Sequence, residues 1–168
     1  MIRTITITEI GLPEAIFKGR NAFGDKVVKP VLKQLVRYWH KFFLPRHFAE
    51  GAQARYHYRR RSEQYKRRKR ILAGALGRAA APLVFTGRLK REVSRTIKVK
   101  GTGKRAQGVM TGPRYMSKFY AGGDRPNIAG ELTKQTKAEM NEQAQRAERL
   151  ALALINSDRT RVRHRIAS

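Results

Sequence analysis

The chain has 168 residues, enough for one domain with arms, and its 40% hydrophobic content allows a modest core. Its 38 basic and 12 acidic residues give a formal net charge of +26 at pH 7. This excess predicts a polyanionic partner, such as nucleic acid, an anionic surface or a strongly acidic protein. With no cysteine, the chain can form neither a disulfide framework nor a thiolate metal site. We expect a soluble protein, because no signal-peptide order or apolar run of membrane-spanning length is visible.

The first third of the chain predicts a strand followed by a helix. Residues 2–10 are β-branched and roughly alternating, which is typical of a strand. Pro30 fits the first turn of a helix, and Pro45 is expected to end that helix. Between them, apolar residues recur at spacings of three and four, which predicts an amphipathic helix. The apolar positions are Val31, Leu32, Leu35, Val36, Trp39, Phe42 and Phe43.

A dense run of positive charge follows, here called the basic cluster. Its members are Arg55, Arg59, Arg60, Arg61, Lys66, Arg67, Arg68, Lys69 and Arg70, with Glu63 as the one acid among them. Residues 51–61 are expected to be irregular, and Ser62 is a suitable start for a short cationic helix that runs to about Leu72 and is ended by Gly74 and Gly77.

Three interpretations of the basic cluster remain open. With the interleaved Tyr56, Tyr58 and Tyr65, it could grip a nucleic-acid backbone and stack on exposed bases. It could instead line a surface that duplex DNA passes without tight binding. In the third interpretation, the arginines pair with acidic residues of a neighbouring subunit.

The second half of the chain predicts a small sheet and a long helix. Leu89 and Val93 are placed to reach the core after a turn at Gly87. Strands are expected over residues 93–100, 106–111 and 115–120, with a hairpin tip at 101–105. A helix is predicted over residues 130–156. The stripe expected to face the core is Leu132, Thr136, Met140, Gln143 or Ala144, Ala147, Ala151 and Leu154, and the expected solvated acids are Glu139, Glu142 and Glu148.

The resulting fold class is α+β: a small antiparallel sheet flanked by an N-terminal amphipathic helix and a long C-terminal helix, with extended terminal arms. Residues 1–156 are assigned to a single domain and residues 157–168 to a basic arm that is free until it meets a partner. The arm carries Arg159, Arg161, Arg163 and Arg165.

No pattern in the sequence points to catalysis. The four histidines are His40, His47, His57 and His164, and no metal-ligand spacing is found among them. For His40 and His47, which stand beside Trp39 and Phe48, we expect polar or interfacial roles. No nucleophile–base pair or paired carboxylate can be argued from spacing. We therefore predict a protein that is not an enzyme, with no catalytic residue, cofactor, metal or small-molecule substrate.

Part of the chain resembles neck proteins of tailed bacteriophages, the head–tail connector and tail-completion proteins. The resemblance rests on order and spacing in Arg46-His47-Phe48, Tyr56-x-Tyr58, Arg61-Ser62-x-x-Tyr65, Lys69 and Pro82-Leu83-Val84-x-Thr86-Gly87-x-Leu89. It implies a small α+β subunit of a virion, assembled in the host cytoplasm into a homo-oligomeric ring of 6 or 12 copies. Its implied partners are portal or adaptor proteins, tail proteins and double-stranded DNA bound without sequence specificity. The alternative is a non-specific nucleic-acid-binding protein of another kind, such as a ribosome-associated or packaging factor.

Overall fold

The computed structural model describes residues 3–7, 24–74, 83, 87–95, 97–102, 105–113 and 128–166. Within these ranges, side chains are described except at 3–7, 24, 72–74 and 158–166. The strand expected over residues 115–120 lies outside the described residues.

The predicted N-terminal helix is present, and helical turns of other pitch extend it at both ends. Helix α1 (Lys29–Tyr38) follows a wider turn over Gly24–Val28 and leads into another over Trp39–Phe43. Pro45 then lies in the first turn of a tighter helix, Leu44–Phe48, where its missing N–H costs no hydrogen bond. Of the seven expected apolar positions, all but Phe42 are buried. The 3.6-residue period therefore identified the buried face of this segment correctly, with Phe42 as the exception.

Three antiparallel strands form the described sheet. Strand β1 (Arg3–Ile7), strand β2 (Ile97–Gly101) and strand β3 (Ala106–Gly112) are ordered β1-β3-β2. The hairpin joining β2 to β3 pairs Gly101 with Ala106, as the sequence predicted, while β1 pairs with the other side of β3. The strand predicted over residues 2–10 is confirmed over Arg3–Ile7, and it is a member of the sheet instead of an arm extending from it.

The expected strand over residues 93–100 is wrong in its first part. Helix α4 (Arg88–Arg95) occupies it, after short helices α2 (Ala52–Arg55) and α3 (Glu63–Gly74). Leu89 and Val93 are one helical turn apart and both are buried, so the helical period places two apolar side chains in the core. Arg88 Nε and Glu92 Oε1 form an ion pair at 2.6 Å, one turn apart on the same helix. Alternation over residues 93–99 fits a strand equally well, which is why the sequence misled.

The long C-terminal helix is interrupted near its start. Helix α5 (Ile128–Leu132) ends before a short break, and helix α6 (Lys137–Ile166) begins after it. The break is a reciprocal cap: Thr136 Oγ1 accepts from the Glu139 N–H at 3.2 Å, and Glu139 Oε2 accepts from the Thr136 N–H at 3.1 Å. The expected stripe also loses Met140, which is 49% exposed.

Helix α6 runs through the predicted boundary between domain and arm. Its backbone is helical as far as Ile166, so residues 157–166 continue the helix, and the prediction of an extended C-terminal arm is corrected. At 30 residues, α6 is about 45 Å long at 1.5 Å per residue. Arg159, Arg161, Arg163 and Arg165 all stand on this terminal part.

The core is built in three layers, with α1 between the sheet and α6. Buried residues of α1 pack with Ala106 of β3 and with Ala147 and Ala151 of α6. A second buried group surrounds Trp39 and Phe43 and extends to Met110 and Leu132. Small residues on α6 permit a close approach to α1, which agrees with the Ala-rich stripe expected from the sequence.

Gly108, in the central strand β3, offers a direct test of this packing. A Cβ at Gly108 would lie 2.5 Å from Ile97 Cδ1 and 2.6 Å from Val36 Cγ1, and both distances are shorter than the contact distance of non-bonded carbon atoms. We expect Gly108→Ala to lower the free energy of unfolding by about 1–3 kcal/mol, the usual cost of overpacking a core. Denaturant unfolding of Gly108→Ala and of the neighbouring Gln107→Ala would measure it. Equal stability of the two variants would contradict the packing of α1 on the sheet.

Candidate nucleic-acid interface

The basic cluster spans the end of α2, the irregular segment that follows and the first two turns of α3. The Ser62 side chain caps α3, because its Oγ accepts a hydrogen bond from the Tyr65 N–H at 3.3 Å. This confirms the helix start predicted from the sequence. Glu63 lies in the first turn and pairs with Lys66 Nζ at 2.5 Å, on the exposed side of the helix.

Most of the basic cluster is on the surface. Seven of its nine members have exposed side chains: Arg55, Arg59, Arg60, Lys66, Arg67, Arg68 and Arg70. On α3, Lys66 and Arg70 are four residues apart and therefore lie on the same side of the helix, and Arg67 and Arg68 are exposed as well. Ile71, 68% exposed, shares this outer surface. The helix therefore presents a broad cationic face to its surroundings.

Arg61 and Lys69 do not belong to that face, and their assignment as DNA-facing or intersubunit residues is corrected. The Arg61 guanidinium forms a double hydrogen bond with the Glu131 carboxylate, with Nη1 3.0 Å from Oε1 and Nη2 bound to Oε2. Both side chains are nearly enclosed, at 10% and 5% exposure. Lys69 is also buried, and desolvation, with a further contribution from Arg61, lowers its pKa.

The tyrosines interleaved with the basic cluster face inward. Tyr56 and Tyr58 are buried, and Tyr65 is half-buried. The Tyr56 ring stacks on the His47 ring with centroids 3.9 Å apart, and the Tyr58 hydroxyl is hydrogen-bonded to His47 Nδ1. Burial raises the pKa of all three phenols, so each keeps its proton at neutral pH. The predicted stacking of Tyr56 and Tyr58 on nucleic-acid bases would therefore require the core to open.

Glu139 joins the aromatic group to the surface. Its Oε1 accepts a hydrogen bond from the Tyr56 hydroxyl at 2.7 Å and another from Arg46 Nη1 at 3.3 Å. Because Oε2 also caps α6, one buried carboxylate fixes three parts of the chain. Glu139 was expected on a solvated face, and that expectation is wrong. Glu142 is also engaged, since it accepts a hydrogen bond from the Tyr38 hydroxyl at 2.5 Å, whereas Glu148 is exposed as expected.

Sequence reasoning missed the two carboxylates that organise this region. For Glu139 a signal existed, because Thr136-x-x-Glu139 has the spacing of a capping box. For Glu131 there was none: its partner Arg61 is 70 residues away, and the Arg59 N–H that also reaches Glu131 Oε1, at 3.2 Å, is a backbone group. His47 was expected to be polar or interfacial and is instead wholly buried.

Neither a metal site nor a membrane-spanning helix is found in the described part of the chain. Among the described residues, no group of three or more His, Asp or Glu side chains could hold a metal ion. No helix in those residues is both long and apolar enough to cross a bilayer.

His47 makes the stability of the fold depend on pH. Burial lowers its pKa to about 4, from 6.5 in an unfolded chain, although Glu139 opposes the shift. Below pH 6.5 the unfolded chain binds the extra proton, so the free energy of unfolding falls as the pH decreases towards 4. At about 1.36 kcal/mol per pH unit, we expect a loss of about 2 kcal/mol between pH 7 and pH 5. Trp39, the one tryptophan, lies with its ring 6.0 Å from the His47 ring and reports unfolding by fluorescence.

The control for this prediction is the exposed His57. His57 has a φ of 50°, which Asn tolerates well, so His57→Asn replaces an exposed imidazole with little strain. His47→Gln should be less stable at pH 7 but should lose most of the dependence between pH 7 and pH 5, and His57→Asn should keep it. If His47→Gln retains the full dependence, other groups are responsible.

Comparison of the chain with protein-family models, with curated proteins and with solved structures finds no match. A functional assignment therefore depends on the residues themselves and on their arrangement in this structure.

Proposed function

We propose that this chain is a structural subunit of the head–tail junction of a tailed bacteriophage particle, where its basic cluster faces duplex DNA. The supporting observation is the exposure of seven cations of the cluster on a segment anchored by the buried Arg61–Glu131 ion pair. Exposed cations gathered on one segment suit a polyanion such as duplex DNA.

The orientation of the aromatic rings supports recognition of the DNA backbone rather than of bases. Stacking on bases requires exposed aromatic faces, and Tyr56 and Tyr58 are buried against His47. The cations that remain outside can contact phosphates of any sequence. Binding without base readout is what a DNA passage requires, since every part of a genome must pass through it.

The residues that carry the phage resemblance have structural tasks in this fold. His47, Phe48, Tyr56, Tyr58, Lys69, Leu83 and Leu89 are buried, and Arg46 and Arg61 pair with buried carboxylates. Gly87 has a φ of 78°, which favours glycine. These described positions therefore help to determine the fold of this chain. The DNA-facing role rests separately on the exposed cations, which is why it needs its own test.

A ring would place several copies of a highly charged subunit side by side. Each copy carries a net charge of +26, so closure of a ring needs DNA, counter-ions or acidic partner proteins to offset the repulsion. Portal, adaptor and tail proteins are the proposed neighbours. The helical residues 157–166, with four arginines, are the proposed assembly element.

The charge of the exposed cluster can be tested through the salt dependence of DNA binding. Replacing Arg60, Arg67 and Arg68 by Gln should weaken binding to a duplex of mixed sequence and flatten the plot of log affinity against log salt concentration. The slope should decrease by about 0.9 for each phosphate that the variant no longer neutralises, because fewer counter-ions are released. Fluorescence anisotropy over a series of salt concentrations measures both quantities.

A charge-matched control separates local effects from net charge. Arg37, Lys41 and Lys98 are exposed and lie on other elements, so replacing them by Gln removes the same charge elsewhere. The control should keep a steeper slope than the cluster variant. Equal slopes would contradict a localised DNA surface, and an unchanged slope with weakened affinity for a neck protein would assign the cluster to a protein interface.

The strand preference tests the backbone-only interpretation. Duplex DNA carries one charge per about 1.7 Å, more than a single strand of equal length. We expect the duplex to bind at least as tightly as the single strand, because the buried tyrosines add no stacking. A clear preference for the single strand would favour the alternative function, a nucleic-acid-binding protein that reads exposed bases. Detection of the chain in purified phage particles at 6 or 12 copies would support the neck assignment over that alternative, and its absence from particles would exclude it.

A further inference from the structure

Within the described part of the chain, a small number of side chains attach α3 to the rest of the subunit. Among the described elements, none packs extensively against α3. Of the α3 side chains that the structure describes, Tyr65 and Lys69 are the inward ones, four residues apart on one side of the helix. Burial raises the pKa of Tyr65 and lowers that of Lys69, and the charge of Arg61 acts on both groups.

Glu131 stands at the centre of this attachment. Besides binding Arg61 with both oxygens, it accepts a hydrogen bond from the Arg59 N–H, so it holds the backbone and the side chain just before α3 begins. The cation that Glu131 neutralises, Arg61, is itself nearly enclosed and also lowers the pKa of the buried Lys69. Without a carboxylate at this position, Arg61 would be a buried charge with no counter-charge.

We propose that Glu131 is a positioning residue for DNA binding: through Arg61 and the Arg59 N–H, it holds the cationic face of α3 in the orientation that meets phosphates. This inference rests on the proposed DNA-binding function. It assigns a favourable role in binding a polyanion to a negatively charged residue that itself touches no DNA.

The positioning role and an effect of net charge alone predict opposite changes in the DNA affinity of Glu131→Gln. Glu131→Gln raises the net charge of the chain from +26 to +27 and, if only charge mattered, would strengthen binding to DNA. If Glu131 positions α3, the same variant should bind a labelled duplex of mixed sequence more weakly. Its salt slope should also be smaller, by about 0.9 for each phosphate that the displaced helix no longer neutralises.

Glu148→Gln is the matched control. Glu148 is exposed on α6, away from the basic cluster in sequence, and its replacement makes the same change in net charge. The control should bind the duplex no more weakly than the unaltered chain and keep its slope. Circular dichroism at the assay temperature establishes that each variant is folded.

A double variant keeps the test decisive if Glu131→Gln fails to fold. Arg61→Gln combined with Glu131→Gln removes both buried charges and leaves the net charge at +26. Replacing both partners avoids the isolated buried cation that a single change creates. We expect the double variant to bind with lower affinity and a smaller slope than the unaltered chain.

Three outcomes distinguish the positioning role from the proposed function. Weaker binding and a smaller slope for the Glu131 variant or the double variant, but not for Glu148→Gln, would support the positioning role. Binding by folded Glu131→Gln or the double variant that equals or exceeds that of the unaltered chain would overturn the positioning role and leave DNA binding intact. If the unaltered chain shows no salt-dependent binding of duplex, the proposed function fails and the positioning role with it.

Discussion

Two buried carboxylates, Glu131 and Glu139, make the interactions on which the middle of this structure depends. The chain has 12 acidic residues against 38 basic ones, and two of the acids are enclosed and bound to arginines. Removing a carboxylate from water is costly, and the cost is offset only when hydrogen bonds satisfy its oxygens. Here Glu131 accepts from Arg61 and from the Arg59 N–H, and Glu139 accepts from Arg46, Tyr56 and the Thr136 N–H. Both are therefore well satisfied.

The position of these carboxylates explains how a strongly cationic segment can be folded at all. Residues 55–70 would repel one another if every charge were on one surface without compensation. The fold divides the segment instead: Arg61 is neutralised inside, Tyr56 and Tyr58 enter the aromatic core around His47, and seven cations remain outside. The internal members fix the backbone, so the external members have defined positions. This division links the stability of the domain to the surface that we propose for DNA.

The same division accounts for two different properties of one stretch of sequence. The buried tyrosines and His47 bring together α2, the tight helix ending at Phe48 and the start of α6, which gives the domain its shape. The exposed arginines and lysines lie on the surface of the same segment. A surface of this kind is suited to phosphates, since the rings of Tyr56 and Tyr58 are engaged in the core.

The sequence by itself determined the α+β class, the buried face of α1, the β2–β3 hairpin and the start of α3 at Ser62. Each depends on local period or local capping, which neighbouring residues encode. The cap at Thr136 and Glu139 was encoded in the same way, although the prediction did not include it. Only the tertiary structure decided which charges are internal, because Arg61 meets Glu131 across 70 residues and Tyr56 meets Glu139 across 83. Likewise, Val93 fits a strand or a helix by period, and its burial beside Leu89 in α4 depends on the rest of the core.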